Sequence, residues 1–166
     1  MATSTQVMVE EYLHSGYQGP DCDFVDGEVI KRNVGGIDHS TVQRRLTVYF
    51  DRLAATHQLN AFPELRMRLG PQKYRVADLA VYQGPAPQER FPSAPPRIVV
   101  EVVSPDDRHS EIVRKLDDYR DWGVRDIWLI DPAVRRLYSY GPDGLTEVPE
   151  FTVAEFRVVL RIDDVL

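Results

Sequence analysis

Two apolar runs typical of β-strands each carry one acidic residue, and this pattern constrains the fold more than any other feature. Asp78 lies within residues 75–82, and Glu101 lies within residues 97–103, among valine, leucine, isoleucine and alanine. A carboxylate in a buried strand is costly unless a positive charge compensates it, and a divalent cation is one such compensator. The sequence therefore predicts a sheet that carries a metal-dependent hydrolytic site.

Length and composition favour one soluble domain over residues 1–166. The chain is long enough to bury a hydrophobic core without disulfide bonds or structural metal ions. Its composition, 43% apolar and 28% charged residues, is ordinary for a globular protein. Its net charge of −6 argues against a protein that mainly coats duplex DNA. The protein could still act on nucleic acid, because a metal ion and nearby arginines determine the electrostatic potential within a site.

The sequence also predicts a cytoplasmic protein without a membrane span. The N-terminus has no basic segment followed by an apolar stretch, and the longest apolar runs are far shorter than the roughly 20 residues of a membrane helix. A single cysteine, Cys22, excludes an internal disulfide and a multi-cysteine zinc site, and it fits a reducing compartment.

Periodicity and turn residues divide the chain into helices and strands. Asp26-Gly27 between apolar pairs predicts a hairpin, and Asp38 or Ser40 is expected to cap a helix that extends to His57. Another helix is expected to end at Gly123. The remaining predictions are a helix over 6–14, strands in 61–69, 74–82, 98–103 and 127–130, a helix over 109–122, a hairpin around 141–144 and one strand near 156–162.

The two acid-bearing strands are consecutive, which allows their carboxylates to meet. Neighbouring strands lie about 4.8 Å apart. Asp78 and Glu101 at matching heights on one face could therefore share Mg²⁺ or Mn²⁺, with the carbonyl of Val102 as a third oxygen ligand. Such an ion polarises a phosphoryl oxygen and lowers the pKa of bound water, which phosphodiester hydrolysis needs.

The helix after Glu101 offers Lys115, for which two interpretations stay open. Glu111 precedes Lys115 by four residues, the favourable order for a surface ion pair worth a few tenths of a kcal/mol. Lys115 also lies at the edge of the apolar helix face, from which it could point toward the sheet that carries the two acids.

Several segments together resemble a known family. They are Phe24-Val-Asp-Gly-Glu28, His39, Asp78, Glu101-Val-Val-Ser-Pro105, Glu111, Lys115, Tyr119 and Gly123-Val followed by Trp128 and Asp131-Pro132. In this combination and spacing the chain resembles the Uma family of restriction-endonuclease-like proteins, a branch of the PD-(D/E)XK nuclease superfamily. The resemblance covers roughly residues 7–132.

The resemblance implies an α/β (α+β) fold with a mixed central β-sheet flanked by helices and a divalent-metal site. Asp78 would be the acid of the PD motif and Glu101 the acid of the (D/E)XK motif. Ala77 replaces the proline of the first motif, and Val103 replaces the lysine of the second. The family would move that lysine onto the next helix, where Lys115 stands at the matching position.

Three further residues match the family and have open roles. Glu28 could add a catalytic acid from before the first core strand, or it could be a solvated strand residue. His39 could belong to the site or only begin a helix. Glu111 stands where the family more often has aspartate, so its reach differs by one methylene group.

The expected function is that of a Mg²⁺- or Mn²⁺-dependent endonuclease acting on nucleic acid, with DNA as the expected substrate. Its catalytic residues would be Asp78, Glu101, Lys115 and Glu28. The alternative is a catalytically inactive nuclease-fold module for binding or assembly, which the acidic charge and Val103 favour. Self-association through exposed strand edges predicts a homodimer.

Overall fold

The central strand of the protein is a short, fully buried run of five residues, Ile98–Val102, as its apolar sequence predicts. The structure is a computed structural model and describes residues 6–16 and 21–166. Its helices are α1 (Val9–His14), α2 (Ile37–His57), α3 (His109–Trp122) and α4 (Ile162–Val165). Its strands are β1 (Asp23–Val25), β2 (Glu28–Ile30), β3 (Leu59–Gly70), β4 (Lys73–Gln83), β5 (Ile98–Val102), β6 (Asp126–Asp131), β7 (Arg136–Gly141), β8 (Gly144–Val148), β9 (Phe151–Val153) and β10 (Val158–Leu160).

A mixed sheet of eight strands, flanked by helices, organises the described residues. The strands follow the order β2-β1-β4-β5-β6-β7-β8, and β3 pairs with β4 off this path. β5 and β6 are parallel, with α3 as the crossover between them, whereas the other pairs are antiparallel. The mixed sheet flanked by helices that the resemblance implies is therefore confirmed.

Apolar clusters cover both faces of the sheet. α2 contributes Val42, Leu46 and Phe50 to one cluster, which also includes side chains of β4, β5 and β6. α3 contributes Leu116 and Tyr119 to the cluster on the other face. The acid-bearing strands β4 and β5 thus lie between two helices, and this burial is what makes their carboxylates costly.

The structure differs from the sequence predictions in the cap of α2 and in the C-terminal region, and several other elements, such as α1, begin or end one to three residues from their predicted limits. α2 begins at Ile37 with Gly36 as its N-cap and no side-chain cap, so the predicted caps Asp38 and Ser40 are wrong. The C-terminal region holds a two-stranded sheet of β9 and β10, a short 3-10 helix and α4, where a single strand was predicted. Within the described residues no helix is both long and apolar enough to cross a membrane.

Candidate active site

A pocket opens between β4, β5, the segment after β2 and the start of α3. Its empty space, counted out to the open mouth, is about 670 Å³. Asp78, Glu101 and Lys115 all line it, so the structure brings together the three residues that the sequence singles out. Of the other candidates, Val102, His39 and Glu111 also line the pocket.

The register of the sheet explains why the two acids meet. β4 pairs with β5 through Leu79 and Val100, and Asp78 and Glu101 are the next residues beyond this pair. The main chain of β5 also holds the first acid directly, because Val102 N donates a hydrogen bond of 2.7 Å to Asp78 Oδ2. Both carboxylates are buried at this end of the paired region.

Asp78 contacts one arginine and one histidine side chain. Arg32 Nη2 donates to Asp78 Oδ1 at 2.6 Å, and His39 Nε2 lies 3.2 Å from Asp78 Oδ2. Burial alone would raise the pKa of Asp78, but the His39 hydrogen bond and the charges of Lys115 and Arg32 lower it to about 2. Asp78 is therefore an anion at neutral pH. Its hydrogen bond in turn raises the pKa of His39 against the opposing effect of burial.

Glu101 has fewer compensating charges. Lys115 Nζ donates to Glu101 Oε2 at 2.9 Å, and the Tyr119 hydroxyl donates to Glu101 Oε1 at 2.8 Å. Burial is the largest influence and raises the pKa of Glu101 to about 7, although the Lys115 charge opposes it. Burial likewise raises the pKa of the Tyr119 hydroxyl, which keeps this group a hydrogen-bond donor. The two acids of the pocket thus differ in protonation near neutral pH.

The position of Lys115 decides between the two interpretations of its spacing. Its ammonium group bonds to Glu101 and, at 2.7 Å, to the carbonyl of Val76 in β4. Within the described residues, Lys115 forms its ion pair with Glu101 of the sheet. Glu111 lines the pocket but is exposed. α3 therefore directs its lysine to the strands that carry the acids.

His39 and Glu28, which both match the family pattern, lie in different environments. His39 is in the first turn of α2, and it reaches Asp78 because Gly35 leaves room for its ring. A Cβ atom at Gly35 would lie 2.5 Å from His39 Nδ1. Glu28 is exposed in β2 and is not among the residues that line the pocket, although Asp23 before it and Ile30 after it are. The structure brings His39 to the acids and does not bring Glu28.

A second group of contacting residues was missed by sequence reasoning. Arg32 bonds Asp78 and also Glu64, where Arg32 Nη1 lies 2.5 Å from Glu64 Oε2. Gln43 Nε2 donates to Glu64 Oε1 and to the carbonyl of Asp78, both at 2.8 Å. Arg32 follows β2, Gln43 lies in α2 and Glu64 lies in β3. No regular spacing in the sequence links these three residues. The proximity of Arg32 to the family-like segment at 24–28 was the one available signal.

A buried ion-pair network fixes α3 against β4 beside the pocket. Arg75 donates to Asp118 Oδ2 from Nε and Nη2, at 2.8 and 2.6 Å, and to Asp23 Oδ2 at 3.0 Å. Asp23 Oδ1 also accepts a hydrogen bond from Val76 N. Asp118 lies one turn from Lys115 on the same helix, so this network joins that part of α3 to β4.

The donor groups in the pocket suit a hard divalent cation of the Mg²⁺ type. Residues 6–16 and 21–166 contain no group of three or more His, Cys, Asp or Glu side chains arranged to hold a metal. Mg²⁺ commonly needs only one or two carboxylates, with water and substrate phosphate as its other ligands. Asp78 and Glu101 supply two, and the pKa of Glu101 near 7 indicates that burial leaves its anion incompletely compensated. The residues therefore fit one cation of this type.

Comparisons with known proteins agree with the fold. The crystal structure of a putative nuclease belonging to DUF820 from Anabaena variabilis ATCC 29413 is similar to this chain, with a TM-score of 0.82. The two sequences are 21% identical, and the match covers 96% of this chain and 97% of that one. No curated protein matches the chain.

The family comparison covers nearly the whole sequence. The model of the Uma2 family, described as "Putative restriction endonuclease", matches residues 9–164. This range includes both acid-bearing strands and α3. The chain therefore belongs to the Uma2 family.

Proposed function

We propose that this protein is a metal-dependent endonuclease that hydrolyses phosphodiester bonds of nucleic acid. The observation that carries the proposal is the convergence of Asp78, Glu101 and Lys115 on one pocket, with Lys115 bonded to Glu101. Two carboxylates can hold a divalent cation that assists phosphodiester hydrolysis, and a lysine can donate hydrogen bonds to a water or to a phosphate oxygen beside it. The nuclease-like fold and the description of the family support the same chemistry.

Asp78 and Glu101 would hold Mg²⁺ or Mn²⁺, with the carbonyl of Val102 as a third oxygen ligand. When bound, the cation polarises a phosphoryl oxygen and lowers the pKa of a bound water. Asp78 is suited to this task because its low pKa keeps it ionised at neutral pH. Hydrogen bonds from Val102 N and Tyr119 fix the orientation of the two carboxylates before any ligand arrives.

We assign to Lys115 the role of orienting the attacking water. An ammonium group has three N–H donors, and the contacts to Glu101 and Val76 use two of them in the described chain. The third is available to a water or to a phosphate oxygen in the pocket that Lys115 lines. His39 would hold Asp78 in place. Glu28 receives no role in this mechanism, because it is exposed outside the pocket lining.

The proposed substrate is DNA. The family description, a restriction endonuclease, refers to enzymes that cut DNA. Arg108 and Lys115 both line the pocket and offer positive charge to a phosphate group, although the whole chain carries a charge of −6. Glu111 lines the same pocket, so it would lie close to a bound substrate.

A cleavage assay tests the proposal. Purified protein is incubated with supercoiled plasmid and with single-stranded DNA or RNA, each with Mn²⁺, with Mg²⁺ or with a chelator. The expected result is cation-dependent cleavage that Asp78→Ala and Lys115→Ala both abolish. Cleavage that survives both substitutions would show that another site, or a contaminant, performs the reaction.

A nuclease-fold module without turnover is the second candidate. Its support is that each acid already has a cationic partner, Arg32 for Asp78 and Lys115 for Glu101. Calorimetric titration with Mn²⁺ separates the two candidates. Binding that Asp78→Asn abolishes favours the enzyme, whereas absence of binding favours the module.

We also propose a homodimer located in the cytoplasm. The sheet ends at β8, a strand whose outer edge offers main-chain groups to a second copy. The single cysteine of the sequence fits a reducing compartment. Light scattering at micromolar concentration should give twice the chain mass, and a monomer would refute the dimer.

A further inference from the structure

Arg32 supplies a positive charge at Asp78, and it does so from an almost buried position. Its side chain is 11% exposed, and its Nη2 atom lies 2.6 Å from Asp78 Oδ1. Burial would lower the pKa of Arg32, but the hydrogen bond to Glu64 and the charge of Asp78 raise it, so the guanidinium stays charged. A cation that binds Asp78 would therefore meet a like charge already in contact with the same carboxylate.

Glu64 offers this guanidinium a second carboxylate within reach. Arg32 Nη1 bonds Glu64 Oε2, and Arg32 Nη2 lies 3.5 Å from Glu64 Oε1 while it bonds Asp78. A small shift of Nη2 from Asp78 to Glu64 would give a two-armed arginine–carboxylate pair, the strongest geometry for such a pair. Arg32 can thus leave Asp78 without losing a charged partner.

The surrounding structure holds Glu64 ready to receive the guanidinium. The pairing of β3 with β4 is interrupted opposite Asp78, and Glu64 has φ +51°, a conformation that non-glycine residues rarely adopt. Gln43 then ties Glu64 Oε1 to the main-chain carbonyl of Asp78. Backbone strain of this kind persists only where the surroundings enforce it, and it is common at functional sites.

We propose that Arg32 is an internal counter-ion that competes with the divalent cation for Asp78, and that Glu64 retains Arg32 when the cation displaces it. This inference rests on the cation site of the proposed function. Arg32 stabilises the ionised Asp78 in the absence of metal, at the cost of weaker metal binding. Glu64 acts in the opposite direction, since it stabilises Arg32 away from Asp78.

Calorimetric titration with Mn²⁺ of the full chain and its variants tests the competition. Arg32→Gln should bind Mn²⁺ about tenfold more tightly than the natural protein, because the competing charge is gone. Glu64→Gln should bind it severalfold more weakly. Lys31→Gln is the matched control, because Lys31 is a neighbouring cation that lines the same pocket. Its affinity should stay within about twofold of the natural protein.

Thermal unfolding gives a second measurement that does not depend on activity. Arg32→Gln should lower the melting temperature without Mn²⁺, because Asp78 loses a buried partner, and should enlarge the rise that Mn²⁺ causes. Arg32→Lys keeps a charge but lacks the planar, two-armed guanidinium, so its contact to Asp78 should be weaker and its affinity for Mn²⁺ should fall between those of the natural protein and Arg32→Gln. This variant replaces Arg32→Gln if the latter does not fold.

The outcomes separate this inference from the function on which it rests. If the natural protein binds Mn²⁺ and Arg32→Gln binds it no more tightly, the competition is refuted and the cation site stands. Equal tightening by Lys31→Gln would also refute it, because the effect would then be general charge. Absence of Mn²⁺ binding in every variant would refute both the cation site and the competition.

Discussion

Lys115 Nζ lies 2.9 Å from Glu101 Oε2, although one residue belongs to helix α3 and the other to strand β5. In the superfamily motif that the chain resembles, the lysine follows its acid by two residues on the same strand, and this chain has Val103 there. α3 therefore delivers to the acid of β5 a lysine that the strand itself lacks. The buried contact makes Lys115 the most direct residue to test.

Replacement of Lys115 should abolish catalysis. Lys115→Met keeps most of the aliphatic stem but removes the charge and its donors, so cleavage of DNA with Mn²⁺ should fall about 10²- to 10⁴-fold. Arg114→Met is the control, because Arg114 is exposed on the same helix. Similar rates for the two variants would remove Lys115 from the mechanism.

The affinity for Mn²⁺ should increase with pH. Burial raises the pKa of Glu101 to about 7, and a proton on this carboxyl excludes a cation from it. Below pH 7 most Glu101 is neutral and above it most is ionised, so affinity should rise about tenfold from pH 6 to pH 8. Isothermal titration at several pH values measures this rise. Glu101→Gln should remove it, and an unchanged slope in that variant would assign the titration to another group.

A methyl group at Gly35 should displace His39 from Asp78. The added Cβ would lie 2.5 Å from His39 Nδ1 and 2.8 Å from His39 Cβ, closer than real contacts allow. The hydrogen bond to Asp78 is what raises the pKa of His39, so NMR titration of Gly35→Ala should show that pKa reduced. Gly36→Ala is the control, because a Cβ there meets nothing within 4 Å. An unshifted His39 resonance in Gly35→Ala would contradict the close packing.

Arg75 should prove important for stability and unimportant for metal binding. Arg75→Met leaves the buried Asp23 without its guanidinium partner, and loss of one member of a buried pair costs roughly 3–5 kcal/mol of unfolding free energy. Urea denaturation measures this loss, with Arg114→Met expected within about 0.5 kcal/mol of the natural protein. The folded fraction of Arg75→Met should still bind Mn²⁺ with little change. A small stability loss would show that the network is dispensable.

Local sequence signals predicted most of the fold because they act over a few residues. Asp26 and Gly27 both have positive φ in the turn between β1 and β2, as their hairpin signal requires. Gly123 ends α3 with φ +108°. The C-terminal region was mispredicted because its strands are only three residues long, too short for an alternating pattern to develop.

The candidate site divides in the same way. Asp78 and Glu101 were identifiable because a charge within an apolar run is a local anomaly. Arg32, Glu64 and Gln43 were not, since their contacts join residues 21 to 46 positions apart, and an exposed-looking Arg or Glu carries no local signal. For Glu28 the local signal was misleading. Its match to the family motif is local, but it is exposed in β2 and does not line the pocket.

A crystal soaked in Mn²⁺ tests the central claim most directly, because the anomalous signal of manganese locates the ion without assumptions. We expect one anomalous peak within bonding distance of carboxylate oxygens of both Asp78 and Glu101, with Arg32 shifted onto Glu64. A soaked crystal that shows no peak at these acids, with Arg32 still bonded to Asp78, would contradict the metal-dependent nuclease and favour the inactive module.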